Sequence, residues 1–253
     1  MIKIEDVEVM GMRKAIKGMR NAMNSWDKSD SYPAVDCKKC GKVEREGVCR
    51  KEDRDCTGFE CYAVGEKDME LAKRLIKAGS PDRKFLRMIH VQADVTAPLY
   101  WWKEYDTYKV GTVANSCSTM HTIHKRDLTI DDFSHEHLSE RSMSFLQNLI
   151  EEINRNRSLY VKGFKGVPGD NDYDVKPYDK AYWWQMIQLI PSSFNQMRTI
   201  DLDYETLYSI YHQRINHKLD EWREFCKLIE TLPYMKEFLE LDKQTETKED
   251  SND

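Results

Sequence analysis

Between Phe85 and Val95 the sequence FLRMIHVQADV alternates: Phe85, Ile89, Val91 and Ala93 fall on odd positions, with Arg87 the one charge among them, and Leu86, Met88, His90 and Gln92 fall on even ones. A period of two places alternate side chains on opposite faces of a strand, so 85–95 is expected to be a central β-strand with its odd face in the core. Most other apolar spacing is helical. Met69, Leu71, Ala72, Leu75 and Ile76 predict a helix over 68–78 that stops at Gly79, and Met12, Ile16, Met19 and Met23 predict one over 10–23. Pro98 is expected in the first turn of the helix LYWWKEYDTY, where a missing N–H costs nothing. A long helix is expected over 135–156 with Leu138, Phe145, Leu149, Ile150 and Ile153 inward, followed by helices over 178–189, 204–217 and 219–232. Residues 2–9 suit a short strand, 111–119 read as a turn region and 163–174 as a loop. The chain is therefore expected to be α+β.

Charge narrows the function. Thirty-nine Lys and Arg against 44 Asp and Glu give −5, which excludes a nucleic-acid binder working by bulk charge. No run of about 18 apolar residues is present to span a bilayer, and the first residues lack a signal-peptide pattern, so a cytoplasmic protein is expected.

Residues 33–63 interrupt the helical pattern with many charges and five cysteines, Cys37, Cys40, Cys49, Cys56 and Cys61. The Cys37-Lys-Lys-Cys40-Gly spacing lets one tight turn aim two sulfurs at an ion, so an inserted zinc-binding module is expected, with free thiols as the alternative. Four thiolates leave no open coordination position, which makes such a zinc structural. Residues 1–32 and 64–239 are expected to form one domain around this insert, and 240–253 a disordered polar tail.

The segment AGSPDRKFLRMIHVQADVTAPLYWWKEYDTYKVGTVANSCS, together with MIQLIPSSF and INHKLDEWREF, resembles the flavin-dependent thymidylate synthases. The likeness lies in Gly79, the 85–95 segment, the aromatic helix, Asn115 and Ser118 three apart, Pro191, Arg214, Glu221 and Arg223. It implies an α+β fold of that family carrying a Cys-rich insert, a homotetramer, FAD as cofactor, and reductive methylation of dUMP or a related pyrimidine. By the same likeness Ser118 is the catalytic candidate, Asn115, Ser116 and Arg214 face the substrate, and Lys109 and His217 face the cofactor.

The family's cations are largely replaced. Tyr108, Lys109 and Val110 stand where the family has Arg-His-Arg, Ser80 replaces the histidine after Gly79, and Met120, Ile187 and Glu205 fall where further arginines are expected. Phosphate oxygens favour arginine's bidentate fork, so these changes imply weak FAD binding, with Glu205 adding a repulsion. A non-catalytic binding or regulatory scaffold is the alternative.

Other residues carry ordinary readings beside functional ones. Lys109 suits the C-terminal dipole of the aromatic helix as well as a phosphate contact. Cys117 reads as a small packed residue rather than a nucleophile, and His121, His124, His135 and His137 as surface or turn residues rather than metal ligands. The Trp101-Trp102 and Trp183-Trp184 pairs are each expected to turn one ring inward and one toward a second surface.

Overall fold

The computed structural model describes residues 2–33, 62–166 and 174–240. All five cysteines of the expected zinc module and the 240–253 tail, beyond Glu240 itself, lie outside the described residues.

Strand β1 (Lys3–Met10) turns through Gly11 into helix α1 (Met12–Met19). Gly11 adopts φ +91°, and a Cβ there would lie 2.1 Å from the Met88 carbonyl oxygen, so both backbone and space require glycine. Helix α1 buries Met12, Ala15, Ile16 and Met19, but it stops at Met19; Asn21–Met23 forms a 3₁₀ turn with Met23 84% exposed, so the helix expected to Met23 is shorter. Two short antiparallel strands, β2 (Tyr32–Pro33) and β3 (Tyr62–Ala63), precede α2 (Glu66–Ala78), which ends at Gly79 with φ +106°.

The strand expected over 85–95 begins later. Arg83–Met88 is 3₁₀-helical, and β4 runs His90–Pro98. Phe85 and Leu86 are adjacent and both buried, which a half-buried strand cannot achieve but a helical turn can. Within β4 the expectation holds: Val91, Ala93, Val95 and Ala97 are buried while His90, Gln92, Asp94 and Thr96 are partly exposed. Pro98 is the N-cap of α3 (Leu99–Tyr105), one position before its first turn.

The 111–119 region contains a strand, β5 (Thr112–Ser116), followed by the single turn α4 (Thr119–Thr122). Helix α5 spans Glu140–Lys162, with the Ser139 hydroxyl accepting from Ser142 N–H. Its buried positions are Leu146, Ile150, Ile153 and Asn156, whereas Phe145 and the preceding Leu138 are exposed, contrary to expectation. Helix α6 (Lys180–Leu189) is capped by Asp179. Strand β6 (Asn195–Asp203) was not apparent from the sequence, and it feeds directly into α7 (Tyr204–Arg214), α8 (Asp220–Thr231) and the short α9 (Met235–Leu239). The main sheet has the order β1-β4-β6-β5. No described helix is long and apolar enough to cross a membrane.

The chain divides into two compact units. One comprises Met1–Lys3, Thr96–Asp106 and Asn115–Arg198. Its core holds Ile123, Leu128, Phe133, Leu146, Ile150, Ile153 and Met186, with α5 packed on α6. Trp101 and Trp102 are both buried, their rings edge-on at 4.8 Å, so neither turns outward as expected; in the second pair Trp184 is exposed. Trp102 Nε1 donates to the Gln196 carbonyl at 2.9 Å, which removes the cost of burying its polar edge.

The other unit comprises Ile4–Val95, Thr107–Ala114 and Thr199–Asp253. Here α1, α2, the 3₁₀ segment and α7 to α9 pack together through Ile16, Ile76, Phe85, Leu86, Trp222, Phe225 and Phe238. Burial of each such side chain stabilises the fold by about 1.5–3 kcal/mol relative to exposure.

Candidate functional site

The C-terminal end of α7 places Arg214 in a corner made by two aromatic rings. Its Cζ lies 4.8 Å from the Trp222 ring centroid and 5.6 Å from that of Tyr108. The rings themselves meet edge to face at 5.9 Å. Arg214 Nε donates to the Tyr108 hydroxyl at 2.8 Å, and that hydroxyl donates to Gln213 Oε1 at 3.0 Å. Trp222 is fully buried on α8, so the ring beneath the guanidinium is fixed by the core. Such a face attracts a cation by about 0.5–2 kcal/mol and fixes the guanidinium plane.

His217 belongs to the same cluster, although α7 ends before it. Its ring packs edge-on to Trp222 at 6.4 Å, and Nδ1 accepts from Leu219 N–H at 3.2 Å. Arg223 holds the connection between α7 and α8 by donating to the carbonyls of His217 at 2.7 Å and Lys218 at 3.2 Å, and it pairs with Asp220. The structure thus brings Arg214 and His217 together. Lys109 is exposed and lies four residues beyond the end of α3 at Tyr105, too far along the chain for the helix-dipole reading.

The candidates Asn115, Ser116 and Ser118 are exposed in the other unit, at the end of β5 and the N-cap of α4. The Ser118 carbonyl accepts from the Thr122 hydroxyl at 2.7 Å. Cys117 between them is exposed rather than packed; its N–H donates to the Met197 carbonyl at 2.9 Å and its carbonyl accepts from Gln196 Nε2 at 3.0 Å. An open cleft of about 520 Å³ is lined there by Cys117, Thr119, Asn195 and Gln196, with Lys125 and Arg126 also on its wall. The Arg126 guanidinium is taken up by Asp132 through two bonds, one of 2.7 Å, and this pairing holds the Asp132 carboxyl below the usual range against the opposing effect of burial.

A third cluster forms at the N-terminal turn of α7. Glu205, nearly buried in the first turn of that helix, accepts from Ser80 Oγ at 2.5 Å, from Arg83 Nε at 3.2 Å and from Arg87 Nε. Arg87 Nη2 also donates to Ser80 Oγ at 2.8 Å, and Arg83 lies 4.9 Å from the Tyr208 ring centroid. Burial opposes ionisation of Glu205, but the bonds from Arg87, Ser80 and Arg83 outweigh it and lower its pKa. Glu205 is therefore compensated twice over rather than standing as an isolated repulsive charge. Arg83 and Arg87 both lie on the 3₁₀ segment Arg83–Met88, with Ser80 in the turn before it.

These residues do not fit the diphosphate of a flavin held by paired arginines at the positions the resemblance assigns. Tyr108 offers a hydroxyl already engaged with Arg214 and Gln213; Val110 is 85% exposed and apolar; the cations near Glu205 are held by its carboxylate. Met120 is exposed, and Ile187 packs against the core of its unit. Among the described residues no group of three or more His, Cys, Asp or Glu could hold a metal ion. His135 Nδ1 instead lies 2.8 Å from the Phe133 carbonyl, and the His124 ring packs against Tyr160.

No protein-family model matches the sequence, and no curated protein matches it. Solved structures do match. Thymidylate synthase X (ThyX) from Helicobacter pylori, solved with FAD and dUMP, superposes with a TM-score of 0.57 at 13% identity, covering 94% of this chain and 97% of that one. The UMP/dUMP methylase PolB from Streptomyces cacaoi, bound with 5-Br UMP, gives a TM-score of 0.55 at 12% identity, covering 95% and 93%. Over nearly its whole length, then, the chain has the α+β fold of the flavin-dependent thymidylate synthases.

Proposed function

We propose that this protein binds a pyrimidine nucleotide of the dUMP class and acts in pyrimidine nucleotide metabolism, with methylation of the pyrimidine ring as its reaction. The observation that carries the reading is Arg214. At the position the resemblance assigns to the substrate, its guanidinium is held by the Tyr108 hydroxyl and two ring faces. A guanidinium fixed in this way has lost little further freedom when it meets a phosphate, which makes the contact charge-assisted and oriented. The names of the two solved proteins, a thymidylate synthase and a UMP/dUMP methylase, supply the reaction class.

In this reading Arg214 binds the phosphate, while Asn115 and Ser116 keep the substrate role and Ser118 the catalytic role that the resemblance assigns them. His217 and Lys109 face the cofactor side, and the working form is a homotetramer. A binding or regulatory scaffold is the second reading, favoured by the pairing of Arg83 and Arg87 with the Glu205 carboxylate. Calorimetric titration of the purified protein with dUMP, with thymidine and inorganic phosphate as controls, tests the proposal. Saturable binding of dUMP well above both controls supports it, and heats no different from phosphate alone refute it.

A further inference from the structure

We infer that Ser80, Arg83 and Arg87 form an oxyanion receptor whose resident anion is the protein's own Glu205. The wild-type chain then takes no diphosphate there, and removal of the Glu205 charge unmasks a site for one. This goes beyond nucleotide binding at Arg214 and is independent of it.

The receptor has the parts that phosphate recognition uses. A hydroxyl and two guanidinium groups converge on one carboxylate, with Ser80 Oγ at 2.5 Å, Arg83 Nε at 3.2 Å and Arg87 Nε also bonded. The donors come from one short stretch of chain between Gly79 and Met88, while the acceptor comes from α7, 118 to 125 residues away in sequence. They are braced without the acceptor as well: Arg87 bonds the Ser80 hydroxyl at 2.8 Å and its carbonyl at 3.4 Å, and Arg83 lies over the Tyr208 ring. Taking away the carboxylate therefore leaves the two cations close together, with a hydroxyl beside them and no compensating anion among the bonds they make in this cluster.

Access is present on one side. The Arg87 side chain is 53% exposed and that of Arg83 is 20%, whereas Glu205 is only 11% exposed. The carboxylate thus sits on the inner side of the cluster and the cations on the outer, so an incoming anion reaches them from solvent. With Glu205 in place the three side chains sum to one positive charge; without it the two arginines sum to two, and Asp203 acts on Arg87 only as a neighbouring charge. The geometry also accounts for the mismatch with a flavin diphosphate: an internal carboxylate satisfies these arginines and leaves a phosphate to pay its desolvation with little return.

The test uses the full-length chain and inorganic pyrophosphate as the probe. Glu205→Gln keeps the size of the side chain and an acceptor oxygen while removing the charge. It is expected to bind pyrophosphate at least tenfold more tightly than wild type by calorimetry, and adding Arg87→Met to it is expected to abolish the gain. FAD titrated into the same variants, followed by quenching of flavin fluorescence, should rank them in the same order. A folded Glu205→Gln variant with wild-type pyrophosphate affinity overturns the inference, as does tight binding by wild type that Arg87→Met removes. Should the variant be unfolded in plain buffer, recovery of its native circular dichroism on adding pyrophosphate supports the receptor, and failure to recover refutes it.

Discussion

Removing the Asp68 carboxylate tests how the start of α2 is held to α1. Asp68 is fully buried, and its oxygens accept from Arg20 Nε at 2.5 Å and from the Ser29 and Ser31 hydroxyls at 2.6 Å each. Asp68→Ala leaves Arg20, itself 6% exposed, without a counter-charge. Breaking a buried pair from one side costs about 3–5 kcal/mol. The two hydroxyls are partly exposed and can turn to water, so their loss adds only about 1 kcal/mol together. A total of about 4–6 kcal/mol corresponds to a fall in Tm of about 10–20 °C for a chain of this size. Thermal unfolding followed by circular dichroism reads this directly. Replacing both partners, Arg20→Met with Asp68→Ala, is expected to recover more than half of the loss, because no uncompensated charge then remains buried. A single variant within about 1 kcal/mol of wild type, or a double variant as unstable as the single, would refute the reasoning.

Gly111→Ala is expected to destabilise by about 2–3 kcal/mol in urea unfolding, from its left-handed backbone together with damage to a helix cap; φ is +69°, and a Cβ would come within 2.1 Å of Asp203 Oδ2, the carboxylate that caps α7. Cys226 is buried and its thiol is pushed up to about 12 by burial and the nearby Glu230, so native protein at pH 8 should alkylate at exposed Cys117 and not at Cys226, as peptide mass mapping will show. Glu205 titrates below its usual value of 4.5, so it contributes stability above that pH and loses it as the pH falls through the lowered pKa; Glu205→Gln should flatten the acid limb of stability against pH. Light scattering at micromolar concentration is expected to give the mass of a tetramer, and a monomer would count against the proposed assembly.

The sequence carried the helices and half of the central sheet because those elements advertise themselves through apolar spacing. Strand β4 is legible from Ile89 onward through its odd-numbered face, whereas 85–88 reads as strand because Phe85 continues that odd-numbered series, although the buried Leu86 beside it belongs to a helical turn. Strand β6 escaped because polar residues serve it: His90 and Gln92 bond Asp201 at 2.8 Å each, and Thr199 donates to Asp94 at 2.6 Å. Those pairs join strands more than a hundred residues apart, and no local period records them. The same limit applies to the clusters around Arg214 and Glu205. Arg214 stood out by resemblance, but that Tyr108 would share its hydroxyl with this arginine, or that Arg83 and Arg87 would answer Glu205, depends on contacts that only the folded chain reveals.

The central claim is that Arg214 is the cation through which this fold engages a pyrimidine nucleotide. Calorimetric titration of dUMP into wild type, Arg214→Ala and Lys109→Ala measures it most directly. Loss of a charge-assisted bond is worth about 1.5–3 kcal/mol, so Arg214→Ala is expected to weaken dUMP about 10- to 100-fold. Lys109→Ala, at an exposed position, is expected to change it less than about threefold. Equal effects of the two substitutions, or wild-type affinity in Arg214→Ala, would contradict the account.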